Sequence, residues 1–198
     1  MPTGSIVIPY TPPLSQLEIY AQAGNDIVTV SGGVTLPAMV FGGDGNDLLK
    51  AGGGNSVLLG EGGDDLMLGG AGNDELNGGQ GRDFLIGGTG ADRLNGGPGG
   101  DILIAGFTAY DQNFSALTSL HDVWRDPELT DSQRMASIQN ASLRNGVYLG
   151  SETVGDDNSA DRLTGASGLD WFWFDPLLDR ATDAKNEPTM TDNNLPSP

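Results

Sequence analysis

The sequence lacks cysteine and has only one histidine, His121, and nine lysine or arginine residues among 198. Without cysteine there is neither a disulfide framework nor a thiolate metal site. So few basic residues argue against nucleic acid and anionic membrane surfaces as partners, because both are recognised through basic patches. No apolar run approaches the roughly 18 residues of a membrane span, and residues 1–20 contain no recognisable signal peptide.

The motifs of common hydrolases are also missing. There is no His-Glu-x-x-His zinc-protease motif and no Gly-x-Ser-x-Gly lipase elbow. His121, next to Asp122 in a segment with helical spacing, is interpreted as a surface or packing residue and not as a catalytic base. The glycine-rich segment 42–45 does not predict a phosphate-binding loop, because the aspartates around it would repel phosphate. We therefore expect a protein that is not an enzyme.

Acidic residues, in contrast, are abundant: 27 aspartates and glutamates give a formal net charge of −18. Like charges at this density repel one another in a compact fold, which favours hard cations as partners. On charge alone, however, an acidic surface that only keeps the protein soluble is the favoured interpretation. With 32 glycines and 37% hydrophobic residues, a large conventional core is not expected.

A nine-residue repeat runs through the centre of the chain. Residues 42–104 divide without insertion into GGDGNDLLK, AGGGNSVLL, GEGGDDLML, GGAGNDELN, GGQGRDFLI, GGTGADRLN and GGPGGDILI. The fourth residue of every block is glycine, the sixth is aspartate except at Ser56, and the eighth is leucine or methionine. A fixed period of this kind indicates a repeated architecture and not a glycine-rich linker. Glycine permits the positive φ of tight turns, and one inward apolar residue per block gives only a thin core.

These blocks resemble the nonapeptide repeat G-G-x-G-x-D-x-U-x of the repeats-in-toxin (haemolysin-type) family, in which U is a large apolar residue. The resemblance covers about a third of the chain. It implies a mainly β fold, a right-handed parallel β-roll (a β-solenoid) in which two blocks make one coil. The first six residues of each block would form a turn and the last three a short strand.

The resemblance also implies calcium as the bound ion, held between turns on one edge of the roll, so that each block shares its ion with the second block along. Carboxylates and backbone carbonyls are ligands that calcium prefers. One edge would carry Asp47, Asp65, Asp83 and Asp101, and the other Ser56, Asp74 and Asp92. About four well-formed sites and a fifth weakened by Ser56 are expected. The further ligand positions implied are Gly42, Asp44, Gly60, Gly62, Gly69, Ala71, Gly78, Gly79, Gln80, Gly87, Thr89, Gly96 and Pro98.

Calcium would supply stabilisation that the thin core lacks. An ion present at ten times its dissociation constant stabilises a fold by about 1.4 kcal/mol per site. We therefore predict a chain that is loose without calcium and ordered with it. Extracellular modules bind calcium with dissociation constants of about 0.1–1 mM, so a secreted bacterial protein that folds outside the cell is expected. The alternatives are a calcium-independent glycine-rich solenoid and an EF-hand, for which the twelfth-position glutamate is missing.

The flanking segments are less regular. The predicted organisation is an extended linker over 1–15, irregular strands over 16–41, the regular roll over 42–106, a helical insertion over 107–145, degenerate repeats over 146–184 and a disordered tail over 185–198. Asp26 precedes Asp47 by 21 residues, which is not a multiple of nine, so residues 34–41 are expected to form a longer strand that breaks the register. Whether Asp26 is a ligand stays open. Asp161 and Asp170 take the sixth position of two degenerate blocks.

The insertion shows helical periodicity. Tyr110, Phe114, Leu117 and Trp124 fall on one apolar stripe, and Thr-Asp-Ser-Gln at 130–133 predicts the capping box of a second helix. In the odd-numbered blocks the residues beside the inward one are largely apolar, whereas in the later even-numbered blocks they are polar. Because exposed apolar patches usually mark interfaces, the insertion or segment 171–174 is expected to fold over the apolar face. The alternative is that these residues only reflect β-propensity.

The sequence as a whole favours a monomeric, non-catalytic calcium-binding β-roll module. The alternative is an adhesive or protein-binding module, in which calcium only stiffens a surface. That surface would lie on the helical insertion or on the apolar sheet face.

Overall fold

The computed structural model describes residues 14–140, 146–182 and 189–190. Two parallel sheets of seven strands face each other, and the chain alternates between them. The first sheet contains, in order, β1 (Leu17–Tyr20), β3 (Ala38–Asp44), β5 (Val57–Gly62), β7 (Glu75–Gln80), β9 (Arg93–Pro98), β13 (Arg162–Ser167) and β15 (Arg180–Ala181). The second contains β2 (Ile27–Thr29), β4 (Leu48–Lys50), β6 (Leu66–Ala71), β8 (Phe84–Thr89), β10 (Ile102–Ile104), β14 (Trp171–Trp173) and β16 (Thr189–Met190). The predicted parallel β-roll is confirmed.

The nine-residue period sets the register of both sheets. Each strand pairs with the strand two blocks along, so that Leu48 lies beside Leu66 and Leu66 beside Phe84. Two blocks therefore make one coil, and every turn lies directly above an equivalent turn. This stacking brings the sixth-position aspartates of each edge into a row.

The space between the sheets is filled by the eighth-position residues. They form one buried cluster, which includes Leu49, Leu58, Met67, Leu76, Leu85, Leu94 and Leu103. The core is one layer of side chains deep, as the repeat predicts. Burying a leucine side chain contributes about 1.5–3 kcal/mol to the stability of the fold. Each coil consists of two blocks and therefore buries only two of these inward side chains.

Two helices cover the outer face of the second sheet. Helix α1 (Phe114–Trp124) is capped by Asn113, and α2 (Asp131–Ile138) begins with the predicted capping box at Thr130. A second apolar core forms between them and the sheet, and its members include Leu66, Phe84, Ile86, Ile102, Leu117, Leu120, Trp124, Met135 and Ile138. The prediction that the insertion covers the apolar face is confirmed. Segment 171–174 does not cover it, since β14 extends the same sheet beside β10.

The inserted segment is longer than the sequence indicates. A two-stranded antiparallel sheet of β11 (Phe107–Thr108) and β12 (Val154–Gly155) closes its base, so residues 146–155 belong to the insertion and not to the degenerate repeats. The roll resumes in register beyond it: Ile102 pairs with Trp171 across the excursion. No helix in the described part of the chain is long and apolar enough to span a membrane.

Two other expectations are corrected at the ends of the roll. Residues 34–37 are not a strand, because β3 begins at Ala38 and the extra residues of this coil lie in the turn before it. The register nevertheless continues, with Ile27 beside Leu48. The tail is not wholly disordered, since Thr189 and Met190 pair with β14. Residues 1–13 of the predicted linker and residues 185–188 and 191–198 of the tail lie outside the described residues.

Candidate calcium sites

Stacking of the turns produces two rows of hydrogen-bonded aspartates. On one edge, the backbone N–H of Asp47 donates to Oδ1 of Asp65 at 2.7 Å, and that of Asp65 donates to Oδ1 of Asp83 at 2.8 Å. The same link joins Asp83 to Asp101 at 2.9 Å. On the other edge, Asp74 donates to Oδ1 of Asp92 at 2.7 Å. One oxygen of each carboxylate therefore holds the neighbouring coil in place.

The second carboxylate oxygen has no such partner. The Oδ2 atoms of eight aspartates are buried and receive no hydrogen bond from the described residues: Asp26, Asp47, Asp65, Asp74, Asp83, Asp92, Asp101 and Asp161. A buried acceptor without a donor costs free energy, and a charged one costs more. A cation beside each Oδ2 would remove this cost, and no protein donor described does so.

Backbone carbonyls lie close to these free oxygens. A Cβ atom on Gly60 would lie 2.2 Å from Oδ2 of Asp65 and 2.4 Å from the carbonyl oxygen of Gly78. Two oxygens so close to a common point can share one calcium ion, whose bonds to oxygen measure about 2.3–2.6 Å. The first position of the block must be glycine here, because any side chain would enter the space between the two oxygens. The residues present thus fit a calcium ion.

The other predicted first-position ligands show the same arrangement. A Cβ atom would lie within 2.7 Å of Oδ2 of the aspartate in the same block at Gly42, Gly69, Gly78, Gly87 and Gly96. These glycines and their aspartates are therefore brought together on both edges. Their role as ligands stays a prediction, supported by this geometry.

The backbone carbonyls of the third block position, which were predicted as ligands, take part in the hydrogen bonds that join the stacked turns. Those of Asp44, Gly62, Gln80, Thr89 and Pro98 each accept a hydrogen bond from a fourth-position glycine of the preceding coil. A carbonyl oxygen has a second lone pair, so this bond leaves it able to bind an ion. Gly79 has a φ of +106°, and a Cβ there would lie 2.2 Å from the carbonyl of Glu61. Ala71 donates its N–H to the carbonyl of Gly52 at 3.0 Å.

Burial makes the aspartate rows electrostatically unfavourable without a cation. Burial, reinforced by the charges of neighbouring carboxylates, raises the carboxyl pKa to about 8 at Asp65, Asp83, Asp92 and Asp101. Burial raises the pKa of Asp74 and Asp161 to about 7. The hydrogen bond from the neighbouring backbone opposes this shift without cancelling it. Protons and cations should therefore compete for these oxygens.

The rows extend beyond the regular blocks in both directions. The backbone N–H of Asp26 donates to Oδ1 of Asp47 at 2.8 Å, and that of Asp101 donates to Oδ1 of Asp170 at 2.9 Å. On the other edge, Asp92 is linked to Asp161 and Asp161 to Asp179. The role of Asp26 was left open by its irregular spacing, and Asp179 was not predicted, because its block FDPLLDRAT has no glycine. The signal that could have found Asp179 is its place 18 residues after Asp161.

Ser56 interrupts the second row, as the sequence suggests. Its Oγ donates to the carbonyl of Gly54 at 2.7 Å and accepts from the N–H of Ala38 at 3.2 Å. This hydroxyl carries no charge and its hydrogen bonds are satisfied. Ser56 therefore makes the hydrogen bond to the neighbouring coil that an aspartate would make, but it leaves no free side-chain oxygen for an ion.

Side chains alone do not make a metal centre here. Within the described ranges, no three acidic or histidine side chains converge on one point. Any ion must therefore be held largely by backbone oxygens with one or two carboxylates, which suits calcium and not zinc. His121, a residue of α1, lines a cavity with Asp26 and Asp47 but belongs to neither row. It is buried with Nε2 3.4 Å from the carbonyl of Arg82, and burial lowers its pKa to about 4. It packs the helix against the sheet.

Comparison with known families agrees with this geometry. Residues 41–76 and 77–107 match the family model described as RTX calcium-binding nonapeptide repeat (4 copies). The resemblance drawn from the blocks is thereby confirmed for this third of the chain, and calcium binding by the repeats is supported. No curated protein matches the sequence.

Proposed function

We propose that this chain, whose central third carries calcium-binding nonapeptide repeats, is a non-catalytic module that folds as calcium binds. The observation that carries the proposal is the row of buried Oδ2 atoms without hydrogen-bond donors. Such a row is unfavourable in the folded state unless a cation occupies it. Calcium binding and folding are then parts of one equilibrium.

The ions are assigned to the intervals between successive aspartates of a row. Between Asp65 and Asp83, for example, Oδ2 of Asp65 and the carbonyl of Gly78 would contribute ligands. The hydrogen-bonded links define eight such intervals between two aspartates. This exceeds the four or five expected from the regular blocks alone. Eight divalent ions would nearly neutralise the formal charge of −18.

The proposed place of action is outside the cell. Sites built mainly from carbonyls, with few carboxylates each, are expected to bind calcium at about 0.1–1 mM, the range of extracellular modules. Cytosolic calcium would leave them empty. The chain would remain loose during export and fold after it.

The alternative of a protein-binding apolar sheet face is not favoured. Helices α1 and α2 cover that face, and Trp124 is fully buried against it. Its apolar residues serve to hold the insertion on the roll. They are not available to a partner.

Isothermal titration calorimetry tests the proposal. We expect calcium to bind at several sites, about eight per chain, with binding linked to a large folding enthalpy, and magnesium to produce little heat. Magnesium is smaller and demands a rigid octahedral shell, which a cage of backbone carbonyls does not provide. An absence of calcium binding at 10 mM, about ten times the expected dissociation constant, would overturn the proposal.

A further inference from the structure

Helix α1 contacts two turns of the aspartate row that contains Asp101, and it does so through ring N–H groups. Nε1 of Trp124 donates to the carbonyl oxygen of Gly100 at 2.8 Å, and Nε2 of His121 lies 3.4 Å from the carbonyl oxygen of Arg82. Burial lowers the pKa of His121 to about 4, so its imidazole is neutral at neutral pH and can carry the hydrogen on Nε2. Each of these carbonyls belongs to the residue immediately before an aspartate of the row.

Both carbonyls are part of peptide groups that also orient the row. The N–H of Asp83, which lies in one planar group with the carbonyl of Arg82, donates to Oδ1 of Asp101 at 2.9 Å. The N–H of Asp101, in one group with the carbonyl of Gly100, donates to Oδ1 of Asp170 at 2.9 Å. Because a peptide group is rigid, a helix that holds its carbonyl also sets the direction of its N–H. Helix α1 therefore orients two carboxylates of the row through the backbone.

The spacing along the helix matches the spacing of the turns. His121 and Trp124 are three residues apart, which corresponds to a rise of about 4.5 Å along an α-helix. Neighbouring strands, and with them neighbouring turns, are about 4.8 Å apart. Residues three apart lie on the same face of a helix, so the two side chains can reach two successive turns. Trp124 is 0% and His121 5% exposed, so water does not compete for these contacts.

Helix α2 holds the side chain of the arginine whose carbonyl α1 contacts. Nη2 of Arg82 is 2.9 Å from Oδ1 of Asp131, the first residue of α2, and its guanidinium carbon lies 5.5 Å from the centre of the Trp124 ring. Burial raises the pKa of Asp101 to about 8, and the positive charge of Arg82 opposes this shift. The same charge opposes a cation beside Asp101, but its ion pair with Asp131 offsets that effect. Both helices thus fix this turn.

The other aspartate row lacks this support. Asp92 has there the place that Asp101 has in the first row, because it is linked to Asp74 before the insertion and to Asp161 after it. In the described part of the chain, the carbonyls immediately before Asp74 and Asp92 accept no hydrogen bond from either helix. The two rows therefore carry equivalent pairs of intervals, of which only one pair is held by the insertion.

We propose that helix α1 preorganises the two calcium intervals on either side of Asp101, with Trp124 and His121 as positioning residues. Calcium fills these intervals before it fills the equivalent ones around Asp92. The inference rests on the proposed function, since it ranks the calcium sites assigned there. Packing of the helix orders part of these turns, so calcium has less to order, and a smaller ordering cost gives a higher affinity. The insertion thereby sets where calcium binding to the roll begins.

Calorimetric calcium titrations of matched variants test the proposal. Trp124→Phe removes the ring N–H but keeps an aromatic side chain in the apolar core. Trp171→Phe is the control, because Trp171 packs against the same core and its buried Nε1 has no acceptor among the described residues. Asp101→Asn and Asp92→Asn each remove one carboxylate from one row, and each is combined with Trp124→Phe in a double-mutant cycle.

We expect Trp124→Phe to weaken the first calcium-binding steps about tenfold, because a buried carbonyl loses its donor. Trp171→Phe should leave them unchanged. Asp101→Asn should remove these steps, so that Trp124→Phe has no further effect in that background, whereas its full effect should persist in Asp92→Asn. A general loss of stability would give the same effect in both backgrounds, and that result would overturn the proposal. Unchanged first steps in Trp124→Phe would overturn it as well.

A second variant covers the case in which Trp124→Phe does not fold in saturating calcium. His121→Phe removes the other ring N–H, the one that faces the carbonyl of Arg82, and it is titrated in the same cycle with the same expectations. A wild-type chain that binds no calcium would contradict the proposed function itself. Calcium binding that Asp101→Asn and Asp92→Asn weaken equally would contradict only the ranking of the two rows and the role of the helix.

Discussion

The backbone N–H of Asp65 donates a 2.8 Å hydrogen bond to Oδ1 of Asp83, and Oδ2 of Asp83 is left buried without a donor. One carboxylate therefore has two roles in one coil. Oδ1 fixes the register between neighbouring turns by accepting a hydrogen bond, and Oδ2 is the oxygen that we propose binds a cation. Substitutions at this position should therefore change the free energy of unfolding differently in the presence and in the absence of calcium.

Asp83→Asn should lower stability in calcium and raise it, or leave it unchanged, without calcium. The amide keeps a hydrogen-bond acceptor for Asp65 but removes the charge shared by two intervals of the row. If both ions are lost at ten times their dissociation constant, the cost is about 3 kcal/mol. Without calcium the substitution replaces a carboxyl whose burial raises its pKa to about 8, which removes the cost of burying an ionisable group.

Thermal unfolding with and without calcium measures both effects. Glu75→Gln is the control, because it makes the same change of charge at an exposed position of β7. A variant that is equally destabilised under both conditions would show that Asp83 is structural only.

Gly60→Ala should abolish binding at the interval that Gly60 borders. The new methyl group would stand 2.2 Å from Oδ2 of Asp65 and 2.4 Å from the carbonyl of Gly78, in the space between the two proposed ligands. Gly32→Ala is the matched control, since a Cβ there meets nothing within 4 Å. Calorimetry should count at least one ion fewer for Gly60→Ala alone. An unchanged count would contradict the assignment of ligands.

The calcium-free roll should be more stable at acid than at neutral pH. The pKa of Asp65, Asp83, Asp92 and Asp101 is raised to about 8 in the folded chain, from an ordinary value of 3.8. The folded state therefore binds more protons than the unfolded state between these values, so stability falls as pH rises from about 4 to about 8 and levels off above it. Protonation takes the place of calcium in neutralising the rows.

Calcium reverses this dependence, because it competes with protons for the same oxygens. Calcium affinity should rise from pH 5 to pH 8, with protons released on binding. Circular dichroism in calcium-free buffer across this range, together with calorimetry in buffers of different ionisation enthalpy, measures both trends. A calcium-free protein that gains stability with rising pH would contradict the account.

Trp124→Ala should detach the helical insertion without preventing calcium binding. The Trp124 side chain is fully buried between α1 and the second sheet, and its Nε1 donates to the carbonyl of Gly100 at 2.8 Å. Removing a buried tryptophan typically costs about 3–5 kcal/mol. Leu177→Ala is the control at a side chain that is 85% exposed. Denaturant unfolding in calcium should show the loss for Trp124→Ala only, and equal stability of the two variants would argue against packing of the insertion on the roll.

The roll was predictable because its signal is periodic. Glycine, aspartate and leucine recur at fixed positions, and each type has one physical role in the turn, the row or the core. The apolar face and the capping box at Thr130 were visible for the same reason, since both depend on local spacing. That the apolar face is covered also followed, because an exposed apolar sheet needs a partner. The sequence left open whether the insertion or segment 171–174 covers it.

The irregular coils were harder to predict because insertions hide the period. The additional residues before Ala38 change the spacing between Asp26 and Asp47 without changing which strands pair. The block that contains Asp179 has lost its glycines, and only the distance from Asp161 identifies it.

The coupling of calcium binding to folding is tested most directly by far-ultraviolet circular dichroism during a calcium titration, with magnesium as the control. Starting from chelator, we predict a cooperative gain of β-sheet signal as calcium rises through the range of about 0.1–1 mM expected for extracellular sites, and no such gain with magnesium. The spectrum of a folded β protein in chelator at neutral pH, unchanged by calcium, would contradict the account.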